Sequence, residues 1–299
     1  MTRALHALTA EPWASRPDYL HHLASLATLD RIERAERRST EGEAWVRQDL
    51  PATVGGPVRR LDGARYAVTT ADGVAIVPIT GPIFPRANLM TEMSGSVSAT
   101  MVANDLRLAQ ANPDVGAIML LVDSPGGSPT GMNALADQIY AMRGRKRVLA
   151  HVSGAAASAA YWLATAASEL VIEKTGMVGS IGVVAAVSKQ VEPDASGSLS
   201  IEIVSSSAPN KRPDPQTDDG AAEIRAILDG IEAQFIADVA RGRGTTVAKV
   251  KSDFGAGGMK IGAAAVTAGM ADRVQTYERS LSELARTAST ERRARAARG

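Results

Sequence analysis

The sequence predicts an α/β domain built on a mostly parallel sheet, and three observations predict it. Strand-length apolar runs alternate with segments of helical period between residues 74 and 274, the pattern of repeated βα units. The clearest run, 115–122, is apolar without alternation, as in a strand covered on both faces. Aromatic residues supply only 4% of the chain while alanine and glycine are abundant, so elements can approach closely around small side chains.

The first segment of helical spacing is 13–38, where Leu20, Leu23, Leu26, Leu29 and Ile32 recur. With the polar stretch behind it, this makes residues 1–50 a helical N-terminal extension. Glycine, proline and threonine enrich 51–72, which reads as a linker, so the compact domain spans 73–276. A buried strand is expected at 74–79, closed by Gly81 and Pro82, and a helix at 97–111 packed through Met101, Leu106 and Leu108. The run 115–122 stops abruptly at Asp123-Ser-Pro-Gly-Gly127. A helix at 132–142, a strand at 147–152, a Gly-Ala-Ser turn and a helix at 158–167 follow. Strands at 170–172, 180–187 and 201–204 continue the alternation. A polar loop, 205–219, leads to the longest helix, 221–241, with Ile224, Ile227, Ile231, Phe235 and Val239 at helical spacing. A helix at 261–268, stopped by Gly269, and a strand at 271–274 close the domain. Residues 277–299 are charged and helix-prone, and are expected to fray.

Composition removes several functions. The chain has no cysteine, which excludes disulfides, thiolate nucleophiles and cysteine-based zinc sites. Its four histidines, His6, His21, His22 and His151, form no HExxH pattern, so no metal or other cofactor is expected. A net charge of +1, with arginine concentrated only in 291–298, argues against a nucleic-acid partner. No window is long and apolar enough to span a bilayer, and the expectation is a soluble, cytoplasmic protein.

Two loops at strand ends can carry chemistry. In Asp123-Ser-Pro-Gly-Gly127, Pro125 fixes one dihedral and the glycines allow amide protons to face outward, where they could hold an oxyanion. Alone, such a sequence is an ordinary turn. In His151-Val-Ser-Gly-Ala-Ala-Ala-Ser158-Ala-Ala-Tyr-Trp162, small residues permit a tight entry into a helix whose free amides lie beside Ser158. Alone, that serine is an ordinary helix cap. Tyr161 and Trp162 are expected to pack the helix against the sheet rather than bind a cofactor.

The order of blocks decides between these readings. Asp123-Ser-Pro-Gly-Gly127, Ala156-Ala-Ser-Ala-Ala-Tyr161, Gly179-Ser-Ile-Gly-Val183, a loop with Lys211, and Ile261-Gly-Ala-Ala-Ala-Val-Thr-Ala-Gly-Met-Ala-Asp272 closely resemble the signal peptide peptidase A family, which includes head-maturation proteases of tailed bacteriophages. The resemblance spans about 73–274. It implies the Clp protease/crotonase-like fold of repeated βαβ units, a homo-oligomer, and a serine peptidase with Ser158 as nucleophile and Lys211 as general base. It places the oxyanion donors on the backbone amides of Gly127 and Ala159, with Gly126 as an alternate, and gives Ser180 a supporting role near the lysine. The chain departs from relatives in having Ala208-Pro-Asn-Lys211 where Gly-x-x-Lys is frequent, and Ala159 where glycine follows the nucleophile.

Rivals inside the site are weaker. Lys174, just before Gly176, is expected to be a solvated lysine, and His151 a structural residue with no upstream acid evidently placed to orient it. The single catalytic domain and the N-terminal extension resemble the phage group, so the expected substrates are scaffold, portal or capsid proteins in the host cytoplasm or prohead interior. The alternatives are a cellular peptidase acting on membrane-derived or cytoplasmic peptides, a crotonase-like acyl-CoA enzyme, and a non-catalytic homologue. The small residues around Ser158 suit alanine or a similar side chain at the cleaved position.

Overall fold

The computed structural model describes residues 14–15, 57–87, 96–187, 192–193, 197–199 and 201–297. Its strands are β1 (Ala14–Ser15), β2 (Val58–Arg60), β3 (Val68–Thr70), β4 (Val74–Thr80), β5 (Ile83–Phe84), β6 (Val97–Ser98), β7 (Ala117–Ser124), β8 (Gly126–Gly127), β9 (Arg147–Ala157), β10 (Glu169–Ile172), β11 (Met177–Gly179), β12 (Met259–Ile261) and β13 (Arg273–Val274). Its helices are α1 (Ala99–Ala111), α2 (Met132–Met142), α3 (Ala159–Thr165), α4 (Asp218–Arg243), α5 (Val247–Asp253), α6 (Gly262–Thr267) and α7 (Tyr277–Ala296), with a 3-10 turn at Pro209–Lys211.

The main sheet runs β12-β11-β9-β7-β4-β3-β2. Its centre, β4, β7 and β9, is parallel, as the unbroken apolar runs require. Strand β9 serves two neighbours in succession: residues 149–152 pair with β10, and 155–157 pair with β11. A smaller sheet, β1-β8-β5-β6, stands beside it and carries the Gly126–Gly127 segment. The architecture is the Clp/crotonase-like α/β fold, with helices on both faces of the main sheet.

The pleat divides the core cleanly. Ala75, Val77 and Ile79, with Ile118, Leu120, Val122, Val148, Ala150 and Val152, face the larger core under α1, α2 and α3. Their alternates Val74, Ile76, Ala117, Met119, Leu121 and Leu149 face a second core closed by Tyr277, Leu284 and Ala288 of α7. That helix lies so close to the sheet that a Cβ on Gly116 would sit 2.2 Å from the Ala288 carbonyl oxygen. The segment expected to fray is therefore a packed helix through 296.

Other expectations shift for stated reasons. Residues 58–70, read as linker, form an antiparallel extension of the sheet, anchored where the buried Asp105 carboxylate accepts the amides of Arg65, Tyr66 and Ala67. Of the helix expected at 13–38, only 14–15 fall among the described residues, and they are extended; the rest of the 1–50 extension lies outside them. The strand expected at 147–152 runs on to 157, because β11 offers it a partner. Conversely, 201–204 forms no strand: Ile201 is 76% and Ile203 92% exposed, and the segment pairs with no strand among the described residues. The strand expected at 180–187 is replaced by Met177–Gly179, with only an isolated bridge at Val184. The long helix spans 218–243, capped by the Thr217 hydroxyl on the Gly220 amide and ended by Gly244 in the left-handed region. Apart from Gly220 in its first turn, its buried residues lie in the second half, Phe235, Ile236, Val239 and Ala240, while Ile227 is exposed.

Candidate active site

Strand β7 and strand β9 end side by side, and their ends build the site. Their register is regular to Val122 opposite Val152, then resumes with Ser124 opposite Ala156, so Asp123 faces a bulge of β9. The Asp123 carboxylate fills that bulge by accepting the Ala155 amide at 3.0 Å. It fits because residue 154 is glycine: a Cβ there would lie 2.3 Å from Asp123 Oδ1. No role was expected for this side chain, although it stands within the quoted motif.

Beyond the bulge, Ser158 joins β9 to α3 at φ 53° and ψ −122°, a conformation that costs a non-glycine residue about 1–3 kcal/mol. The turn is held by both its backbone groups: its amide donates to the Gly179 carbonyl at 2.7 Å, and its carbonyl accepts the Trp162 amide at 3.0 Å. Its hydroxyl is buried and has no hydrogen-bond partner among the described residues. A buried polar atom left unpaired costs roughly 1–3 kcal/mol, so the site holds both strain and an unmet hydrogen bond at one residue. Below it, Trp162 stacks on Phe235 at 4.6 Å and Tyr161 donates to the Met270 carbonyl, anchoring α3 in the core as expected.

The glycine turn packs against α3. Ser124 Oγ donates to the Gly81 carbonyl and accepts the Gly126 amide at 3.2 Å. That bond engages the alternate oxyanion donor. Gly127 must be glycine, since a Cβ would lie 2.0 Å from the Ile83 carbonyl oxygen. Ser180, at φ 55°, is fixed through its amide to the Gly258 carbonyl, on the far side of Gly179 from Ser158.

Lys211 makes no hydrogen bond to the Ser158 hydroxyl. It stands exposed at the end of the 3-10 turn, in a segment tied to its surroundings by Asn210 on Glu223 and Arg212 on Glu202. Lys174 is likewise exposed, in the turn after β10. His151 is fully buried on the α7 face, with one ring nitrogen 3.1 Å from Ser280 Oγ and the other 3.4 Å from Glu173. Burial holds its imidazole below the usual histidine range, with Glu173 pulling the other way. Both nitrogens are engaged there, which fits a structural role.

Among the described residues no group of acidic or histidine side chains could hold a metal, and no helix is long and apolar enough to cross a membrane.

A strand-to-helix serine beside a glycine turn, on a parallel sheet of this topology, defines a Clp-type serine peptidase scaffold. The family model for Clp protease matches residues 85–178, and that for Peptidase family S49 matches 141–291, just over half of the chain. The chain belongs to peptidase family S49. Among curated proteins it is 30% identical to the head-tail preconnector protein GP5 of Enterobacteria phage P21, over 72% of this chain and 43% of that protein. It is 28% identical to capsid assembly protease C of Escherichia phage lambda, over 71% of this chain and 49% of that one. A shorter match, 33% identical over 38% of this chain and 18% of the relative, is to protease 4 of Salmonella typhi. The chain spans less than half the length of these relatives.

Proposed function

We propose that the chain is a serine endopeptidase with Ser158 as nucleophile and Lys211 as general base, acting on scaffold and other head proteins during phage capsid maturation. The observation that carries this is the Ser158 hydroxyl: buried, without a partner among the described residues and held on a strained turn beside Gly127, in a chain of peptidase family S49. Similarity to a capsid assembly protease supports the substrate class.

A serine hydroxyl attacks only when a base takes its proton, and a lysine amine is such a base only when desolvated. The exposed turn bearing Lys211 requires a cover. The segment that precedes it in the chain leaves apolar side chains in solvent: Val187, Leu199, Ile201 and Ile203 are 45–92% exposed, and Arg212, next to the lysine, pairs with Glu202 of that segment. A substrate or a second copy of the chain laid over them would bury this patch and the amine together, and bring the amine to Ser158. The tetrahedral oxyanion would then be held by the amides of Gly127 and Ala159, each worth about 3 kcal/mol. Ala159 opens α3, so its N–H has no carbonyl partner within the helix.

The test is labelling with a fluorophosphonate together with casein cleavage. The parent should label at Ser158 and cut; Ser158→Ala should do neither, and Lys211→Arg should lose cutting by at least about a hundredfold. Equal cutting by Lys211→Arg would remove the lysine from the mechanism. An unlabelled parent would remove the whole reading.

A further inference from the structure

Strand β1, Ala14–Ser15, is far from the domain in sequence yet lies on the glycine turn of the site. It pairs antiparallel with β8, Ala14 opposite Gly127 and Ser15 opposite Gly126. The direction of the Gly127 amide follows from its other neighbour. On that side β8 runs parallel to β5 with Ile83 as the register partner, and the Ser128 amide donates to the Ile83 carbonyl at 2.9 Å. Successive amides along a strand point to opposite sides, so the Gly127 N–H points away from β5 and toward Ala14. In an antiparallel pair the group facing that N–H is the carbonyl of the opposing residue. The carbonyl of Ala14 thus occupies the place at which the proposed oxyanion donor acts, with α3 and its Ser158 cap packed against the same strand.

We infer that residues 14–15 lie in the substrate position of their own domain, and that the Ala14–Ser15 peptide bond is a self-cleavage site. The inference rests on the Ser158–Lys211 reading. Added-strand binding uses backbone hydrogen bonds and leaves specificity to side-chain size. Alanine at 14 is of the small class that Ala155, Ala156, Ala157, Ala159 and Ala160 around Ser158 suit. Pro12 and Pro17 bracket the segment in the sequence, and neither has an amide to donate to a ladder.

The chemistry balances with water alone. Ser158 Oγ attacks the Ala14 carbonyl carbon while its proton passes to the Lys211 amine. The C–N bond to Ser15 breaks, the proton leaves with the Ser15 amine, and water then hydrolyses the Ala14 ester. The products are a peptide ending in the Ala14 carboxylate and a chain beginning at Ser15.

Intact-mass spectrometry and N-terminal sequencing of the purified full chain test this, with fluorophosphonate labelling and casein cleavage run in parallel. The parent should yield chains beginning at Ser15, whereas Ser158→Ala should yield none. Ala14→Arg should slow formation of that end at least about tenfold while labelling and casein cutting persist. A parent that labels and cuts casein but shows no Ser15 end would overturn the self-cleavage and leave the peptidase reading standing. Ser15 ends at equal yield in Ser158→Ala would overturn it too, by assigning the cut to another protease. A parent that neither labels nor cuts would overturn both.

Discussion

The amide of Ser158 donates to the carbonyl of Gly179 across 2.7 Å, so the proposed nucleophile's own N–H is spent on holding its turn. The proposed oxyanion role then falls on the next amide, Ala159, and on that of Gly127 in the turn packed against α3. Gly179 is itself at φ 132°, and a Cβ there would lie 2.5 Å from the Gly258 carbonyl oxygen.

Gly179→Ala should therefore displace the Ser158 turn. We expect fluorophosphonate labelling at least about tenfold slower and a loss of roughly 1–3 kcal/mol of stability, a fall of several degrees in Tm. Labelling at the parental rate would show that the Gly179 bond does not set the nucleophile's position.

The Asp123–Ala155 hydrogen bond makes a separate prediction. Asp123→Ala should reduce kcat/KM several-fold with little change in Tm, since the carboxylate is exposed and its bond is partly replaced by water. Asp123→Asn keeps an acceptor oxygen and should recover much of the loss. Equal defects in the two variants would mean that charge, rather than the bond to Ala155, is what the site requires.

His151 links stability to pH. Its folded-state value lies below the ordinary 6.5, burial being the main cause, so the unfolded chain binds the proton more readily. The stabilisation is complete above about pH 6.5 and is lost as pH falls from there toward the depressed folded value, at up to about 1.4 kcal/mol per pH unit. Unfolding free energies measured between pH 7.5 and 5 should fall more steeply in the parent than in His151→Gln. Parallel slopes would remove the histidine as the cause.

Helix α7 should behave as part of the core. Leu284 is 1% exposed against Val74, Ile76 and Met119 of the sheet, so Leu284→Ala should cost about 2–5 kcal/mol. A denaturant midpoint unchanged from the parent would restore the picture of a frayed tail.

Much of this was legible along the chain. Strands 74–80 and 117–124 and the helix 132–142 announce themselves because their apolar runs and periods are local, and the Ser158 and Gly126–Gly127 turns because ordered motifs need no coordinates to be read. What was not legible depended on partners distant in sequence. Residues 201–204 carry a strand's composition but pair with no strand among the described residues, whereas 153–157, read as a turn, become strand because Met177–Gly179 lies alongside. The apolar stripe of α7, Tyr277, Leu284 and Ala288, is thin among charges until Gly116 lets it press onto the sheet.

By itself the sequence determined the α/β class, the family motifs and the candidate nucleophile, since these rest on local patterning and residue order. Only the tertiary structure decided that Asp123 clamps the bulge before Ser158, that the Ser158 hydroxyl is buried without a bond to an exposed Lys211, and that Ala14 faces Gly127. The reason is physical: a sequence records which groups seek a partner, and only the folded chain determines which partner lies within bonding distance.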